Sequence, residues 1–194
     1  LRQPLEDRQI SISRARYNVT LPCSFMLVAA MNPCPCGYYN DPHHPCTCRP
    51  GQVQRYMSRI SGPLLDRIDL QVEVVPVSVR ELSSAPAGES SAAIRARVVA
   101  ARRRQAARFA DCPGVHCNAQ MAARHIKAFV HLDESAHTAL EQALERLGLS
   151  ARAYERVLKV SLTLADLDGV DQITRAHIAE AISYRNLDRA SWGE

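Results

Sequence analysis

Lysine is almost missing from this 194-residue chain: of 24 basic residues only Lys127 and Lys159 are lysine, the rest arginine. Arginine carries a rigid fork that pairs with carboxylates and phosphates. The net charge of +4 therefore points mildly to anionic partners and stays far short of a histone-like tail. Aromatic residues make up only 5% of the chain, so a core must be built from Ala, Leu and Val, which favours helices packed through small side chains. Long apolar runs are lacking too. The longest, Phe25–Met31, has seven residues against the ~20 needed to cross a bilayer, and no secretory signal opens the chain. No Gly-x-x-x-x-Gly-Lys-Ser/Thr loop occurs, and no apolar strand ends in Asp-Glu. The chain thus lacks the loop that cradles nucleotide phosphates and the acidic strand end that holds Mg²⁺.

What is present reads as an ordinary globular sequence of one domain, or one and a half, with 46% hydrophobic residues. Leu1 is not an initiator residue, and residues 1–8 read as the end of a helix. Gln9–Ser13 and Tyr17–Leu21 alternate in a strand-like way around Arg14-Ala15-Arg16, which predicts a β-hairpin. The continuous apolar run Phe25–Met31, stopped by Asn32-Pro33, predicts a central parallel strand. Ile68–Val75 alternates and predicts another strand, and Val53–Ile60 a helix between them. Ser83–Ser91 is a linker by composition. Beyond it the pattern predicts helices over 92–109, 119–130, 134–147, 151–167 and 175–184, their starts marked by Asn118, Asp133, Ser150 and Thr174. The expected organisation is an α/β part at 1–80 with a cysteine-rich insert at 34–48, a linker at 81–90, a helical domain at 91–186 and a tail at 187–194.

Seven cysteines are an odd number, and four of them lie within fifteen residues. That grouping suits a metal in a reducing cytosol better than a disulfide framework. Cys34, Cys36, Cys46 and Cys48 form two close pairs, and four thiolates can close a tetrahedral, structural Zn²⁺ site. The one-residue spacing within each pair is tighter than usual. Pro35 and Gly37 can supply the turn that aims the sulfurs inward, and His43 or His44 can replace one thiolate. The alternative is a set of ordinary thiols. Arg152 lies in the first turn of a helix capped by Ser150, where the dipole disfavours a cation by roughly 0.3–1 kcal/mol. A phosphate docked there would reverse the sign of that effect; the alternative is a solvated arginine. Arg156, one turn later, is a second candidate.

Four features together carry a family resemblance. FMLVAAMNP ends in Asn32, SGPLLDRIDL places Arg67 before a strand, SARAYERVLKV places Arg152 at a helix start, and the cysteines follow Asn32 directly. The chain resembles the magnesium-chelatase-like AAA+ ATPases, in the competence-type ComM/YifB branch, over essentially its whole length, most specifically in MNPCPCGYYND. The resemblance implies the C-terminal half of an AAA+ P-loop NTPase core followed by a helical lid, an α/β plus all-α fold. Asn32 then matches sensor 1, orienting the water that attacks the γ-phosphate; the bland reading is an Asn-Pro strand end. Arg67 matches the arginine finger that acts on a neighbouring subunit's nucleotide; the bland reading is a surface pair with Asp66 or Asp69. Arg152 matches sensor 2.

Further implications concern the whole protein. The hairpin before sensor 1 faces the pore of related rings, so Arg14 and Arg16 would touch a DNA backbone, or else are solvated turn residues. The basic face of helix 92–109 is either solvated or meets acidic groups of the next subunit. The phosphate-binding half is expected upstream of Leu1. The intact protein would be a cytoplasmic, hexameric, ATP- and Mg²⁺-dependent homo-oligomer working on DNA in recombination of incoming strands. Two alternatives remain: a chelatase-type motor remodelling a protein partner for metal insertion, and a zinc-stabilised DNA-binding module without ATPase activity.

Overall fold

The computed structural model describes residues 2–77, 83, 88–148 and 150–185. Most of the expected linker and the expected tail at 187–194 lie outside the described residues. The chain separates into two compact units. One runs to Ile68 and includes Glu73–Pro76; the other comprises Asp69–Val72 and Val77–Asn186.

In the first unit, α1 (Arg2–Asp7) is followed by β1 (Gln9–Arg14) and β2 (Tyr17–Pro22), which pair antiparallel with Ile10 opposite Leu21, Ile12 opposite Val19 and Arg14 opposite Tyr17. The hairpin is where the sequence puts it. Arg8 takes a positive φ of 55°, and its carbonyl accepts the Cys23 N–H at 2.8 Å, which ties the base of the ribbon to the end of α1. Two short helices, α2 (Gln52–Met57) and α3 (Gly62–Leu65), follow the cysteine segment. Among its described residues, Cys34, Met57 and Leu65 are the buried apolar ones.

The two strands expected at 25–31 and 68–75 are not formed. Neither stretch joins a ladder: the β1–β2 hairpin is the one sheet among the described residues, although the Gln71 N–H donates to the Tyr184 carbonyl at 2.8 Å. Met26, Val28 and Val74 are 87%, 82% and 87% exposed. A strand needs a neighbour for its N–H and C=O groups, and a parallel strand also needs cover on both faces. Among the described residues no second strand lies beside either stretch. Of the α/β half, only the hairpin is present as a sheet.

The second unit is helical: α4 (Ser91–Arg108), a 3₁₀ turn (Asn118–Gln120), α5 (Ala123–Phe129), α6 (Glu134–Leu147), α7 (Ala151–Asp168) and α8 (Arg175–Ser183). α7 is the central element, packing against α4, α5, α8 and the 3₁₀ turn. Its buried stripe of Val157, Leu158, Leu162 and Ala165 meets Phe109, Met121, Leu140 and Ile178, at the spacing of one helical face. Caps sit where side-chain oxygens precede helices: Ser90, Asp133 and Ser150 accept the N–H three residues on, at 3.2, 2.6 and 3.2 Å. The Ser135 hydroxyl and the Ala136 N–H hold the Asp133 carboxyl below its usual range. That cap therefore stabilises at neutral pH and is lost as acid protonates it. None of the described helices is long and apolar enough to cross a membrane.

One helix expected as continuous, 119–130, is broken. Asn118 caps nothing. Its side chain is buried, accepting from Arg108 at 2.9 Å and donating to Thr163 at 3.1 Å and to Asp166 at 2.8 Å. The chain makes a single 3₁₀ turn there, and α5 begins afresh at Ala123. Arg108 grips both oxygens of the fully buried Asp166, at 2.8 and 2.5 Å. Gln105 accepts the Asn118 N–H at 3.3 Å, and Arg104 stands 3.6 Å from the same carboxylate.

This network makes a stability prediction. Removing one partner of a buried, hydrogen-bonded ion pair strands the other, at about 3–5 kcal/mol. Arg108→Ala should destabilise the helical unit by that amount in urea unfolding. Asn118→Ala, which leaves the pair intact, should cost only about 1–3 kcal/mol. Equal effects would mean that Asn118 and not the ion pair holds the junction.

Candidate functional site

The cysteine segment, residues 33–50, has no regular structure and is shaped by tight turns. Gly37 takes φ 88° and donates its N–H to the Cys34 carbonyl at 3.1 Å. A residue with a Cβ is strained at that φ. Asp41 closes a second turn, accepting the N–H groups of His43 at 2.7 Å and His44 at 2.9 Å on one carboxylate oxygen. The result brings four sulfurs together. Cys34 Sγ lies 3.2 Å from Cys36 Sγ and 3.8 Å from Cys46 Sγ, Cys36 and Cys46 are 3.5 Å apart, and all four, Cys48 included, lie within 4.8 Å of one another. A tetrahedron of sulfurs at the Zn–S distance of about 2.3 Å has edges of about 3.8 Å. The donor set and its dimensions fit a soft or borderline tetrahedral cation. No second cluster of this kind occurs among the described residues. His43 and His44 are held outside the sulfur group, exposed, with the His44 ring 5.1 Å from that of Tyr38.

The electrostatics of the four thiols are uneven. The Tyr38 backbone N–H aimed at its sulfur holds Cys36 at about 5, well below an ordinary thiol, against the opposing effect of desolvation. Cys48 receives the Cys36 N–H, yet desolvation and the three neighbouring thiols outweigh it and push Cys48 up to about 12. Cys46 is raised in the same way, the Cys48 N–H opposing desolvation and the Cys36 and Cys34 thiols. Four thiolates this close repel one another unless a cation shares their charge. A dication would displace the other protons, so binding must tighten as pH rises and weaken on acidification.

The other sequence candidates are distributed over both units. Asn32 is exposed in the unpaired stretch before Cys34, so no central strand ends there. Arg67 is not turned outward: its side chain is only 10% exposed. Its guanidinium donates to Glu6 through Nε at 3.0 Å and through a second nitrogen, and to the Pro63 carbonyl at 2.5 Å. Neither Asp66 nor Asp69 takes the pairing expected of them. In the helical unit Arg152 is exposed in the first turn of α7, while Arg156 is partly buried and paired with Asp69. Arg14 ends β1 and Arg16 lies in the turn, both exposed. The pairings of Arg67 with Glu6 and of Arg156 with Asp69 join residues 61 and 87 positions apart, a separation that leaves no local signal in the sequence. Asp41 did leave a local signal, an Asp two and three residues before the N–H groups it accepts.

Metal analysis tests the centre. Protein purified without added metal should carry about one equivalent of zinc, and Cys34→Ser or Cys48→Ser should lose most of it. The metal should be released on acidification, as protons compete with it for the thiolates. Less than about a tenth of an equivalent, with all seven thiols reactive in the folded state, would contradict this reading.

Comparison with known proteins gives two family matches along the chain. Residues 1–82 match the family described as magnesium chelatase, subunit ChlI, and residues 88–185 match its C-terminal family. The chain is 46% identical over 191 residues to the uncharacterised protein YifB of Escherichia coli, and 44% identical over 190 residues to the competence protein ComM of Haemophilus influenzae. An uncharacterised protein of Mycobacterium bovis is 37% identical over 185 residues. These alignments cover 95–97% of this chain but only 36% of each relative. Through both family matches, the chain belongs to the magnesium-chelatase-like family of AAA+ proteins.

Proposed function

We propose that this chain is the sensor, arginine-finger and lid part of an ATPase, and that the intact protein is a cytoplasmic hexameric ring coupling ATP hydrolysis to movement or branch migration on DNA. The observation that carries the reading is the match to both chelatase families together with 44% identity to a competence protein across almost the whole chain. In this reading Asn32 orients the attacking water, Arg67 serves the neighbouring subunit's nucleotide, and Arg152, with Arg156 behind it, serves its own. The chain has no phosphate-cradling loop, so ATP and Mg²⁺ would be held chiefly by the rest of the protein, and this segment alone would not turn over. The stretches 25–31 and 68–75 would then pair as strands with that remainder. Zn²⁺ on the four cysteines would be structural, since four protein ligands leave no open position. Arg14 and Arg16 would contact the DNA backbone.

The Glu6 contact bears on this assignment. A finger acts by placing its fork on a transferring phosphoryl group, and the fork is occupied by a carboxylate of similar geometry. Exchange of Glu6 for phosphate replaces one charge-assisted, forked pairing by another. Glu6 would therefore keep Arg67 withdrawn until a nucleotide-bearing neighbour arrives.

A second reading is favoured by the family description itself, which names magnesium chelatase: a motor that remodels a protein partner for metal insertion. Salt-dependent DNA binding by the intact protein separates the two.

The trans assignment predicts a pattern in mixed rings. In the full-length protein, Arg67→Ala or Arg152→Ala should each lower turnover by roughly 10³–10⁵. Arg67→Ala subunits mixed with subunits lacking the phosphate-binding lysine should regain activity, because an intact finger then faces an intact nucleotide site. Arg152→Ala subunits in the same mixture should regain none. Equal rescue in both mixtures, or full activity of Arg67→Ala alone, would show that Arg67 is not a trans-acting finger.

A further inference from the structure

The β1–β2 ribbon has two unlike faces, fixed by its register. Ser11 stands opposite Thr20 and Ser13 opposite Asn18 on one face, and these polar pairs close on themselves at 3.3 and 2.5 Å. The other face carries Ile12, Val19 and Leu21, all exposed, and ends at the tip with the directly opposed pair Arg14 and Tyr17. Tyr17 is 60% exposed, in a chain with only six tyrosines, three phenylalanines and one tryptophan. Arg16 lies in the turn immediately before it. No acidic residue occurs anywhere in residues 9–22. The tip therefore combines one accessible aromatic face with two guanidinium groups and no carboxylate.

We propose that Tyr17 is a base-stacking residue and that the hairpin tip engages an unpaired nucleic-acid strand, with phosphates on Arg14 and Arg16. The inference rests on the DNA reading above and deepens it by naming the form of the strand. Arginines alone would serve duplex and single strand alike, since backbone contacts carry no such information. A ring face is different. In a duplex each base is already stacked on its neighbours, whereas a base in a single strand offers a free π-face to an aromatic side chain. Flanking arginines hold the backbone on which such a base is carried. A second copy of the hairpin is a poor occupant of the same face, because it would bring two arginines of like charge against two others. An acidic protein segment would satisfy the charge but has no need of the ring.

The test uses full-length protein, a thymidine homopolymer and a duplex of equal length, at several salt concentrations. Tyr17→Ala should weaken single-strand binding at least about fivefold and change duplex binding less than about twofold, the range expected of one stacked base. Tyr17→Phe should bind as the unsubstituted protein does. Tyr17→Trp should bind as tightly, and its emission, taken as a difference from the unsubstituted protein, should be quenched by the homopolymer. Arg14→Ala and Arg16→Ala should instead weaken both substrates and lower the salt slope by roughly one each. If the unsubstituted protein binds DNA but Tyr17→Ala leaves single-strand binding unchanged, the stacking role is overturned and the DNA reading stands. Equal losses on both substrates, or loss of association between copies, would make Tyr17 a packing residue and overturn the proposal. Absence of any DNA binding by the unsubstituted protein would overturn the DNA reading itself.

Discussion

A carboxylate without access to water decides how the helical unit is assembled. Asp166 lies on α7 with its side chain wholly covered, and its charge is tolerated only because Arg108 from α4 and Asn118 from the following loop both reach it. Taking an ion out of water costs several kcal/mol unless geometry and hydrogen bonds are nearly complete. That requirement fixes the end of α4, the turn at 118–120 and the restart of the chain into α5. The apolar stripe of α7 can accept many packings. The polar knot selects one.

The first unit depends on a different constraint, because it has little apolar core of its own among the described residues. Cys34, Met57 and Leu65 are its buried apolar side chains, and the long segment between the hairpin and α2 has no ladder to organise it. Four thiols drawn into one small volume take that role. A cation shared by the four would do for this segment what burial does for α7, removing freedom from the unfolded chain and fixing the turns around Gly37 and Asp41.

The helices were legible in the sequence almost to the residue where a capping oxygen preceded an apolar stripe, as at Asp133 and Ser150, because both signals are local. The break at 118–122 was not legible. Asn118 looks like a helix cap in sequence, and what recruits it inward is a carboxylate 48 positions away. The runs 25–31 and 68–75 read as strands in the sequence, but an apolar pattern does not say which neighbour would pair with them. In the site, the cysteine spacing announced the cluster, and the Asp41 turn explains why the adjacent histidines stay out. Arg67 and Arg156 were picked out by motif. Their partners Glu6 and Asp69 are products of tertiary folding alone.

Among the described residues, α4 is buried against the core near its C-terminal end. Residues 91–100 of α4 are exposed throughout, while Ala101, Gln105 and Arg108 are gripped by the core and by Asp166. At 1.5 Å per residue the helix is about 27 Å long. Mechanically it is a cantilever clamped at Arg108. A tilt of about 10° at the clamp would swing the Ser91 end by roughly 4 to 5 Å. Small adjustments around one buried carboxylate are thus amplified into displacements of several ångströms at the helix's far end, without any residue of the outer half having to change its own conformation.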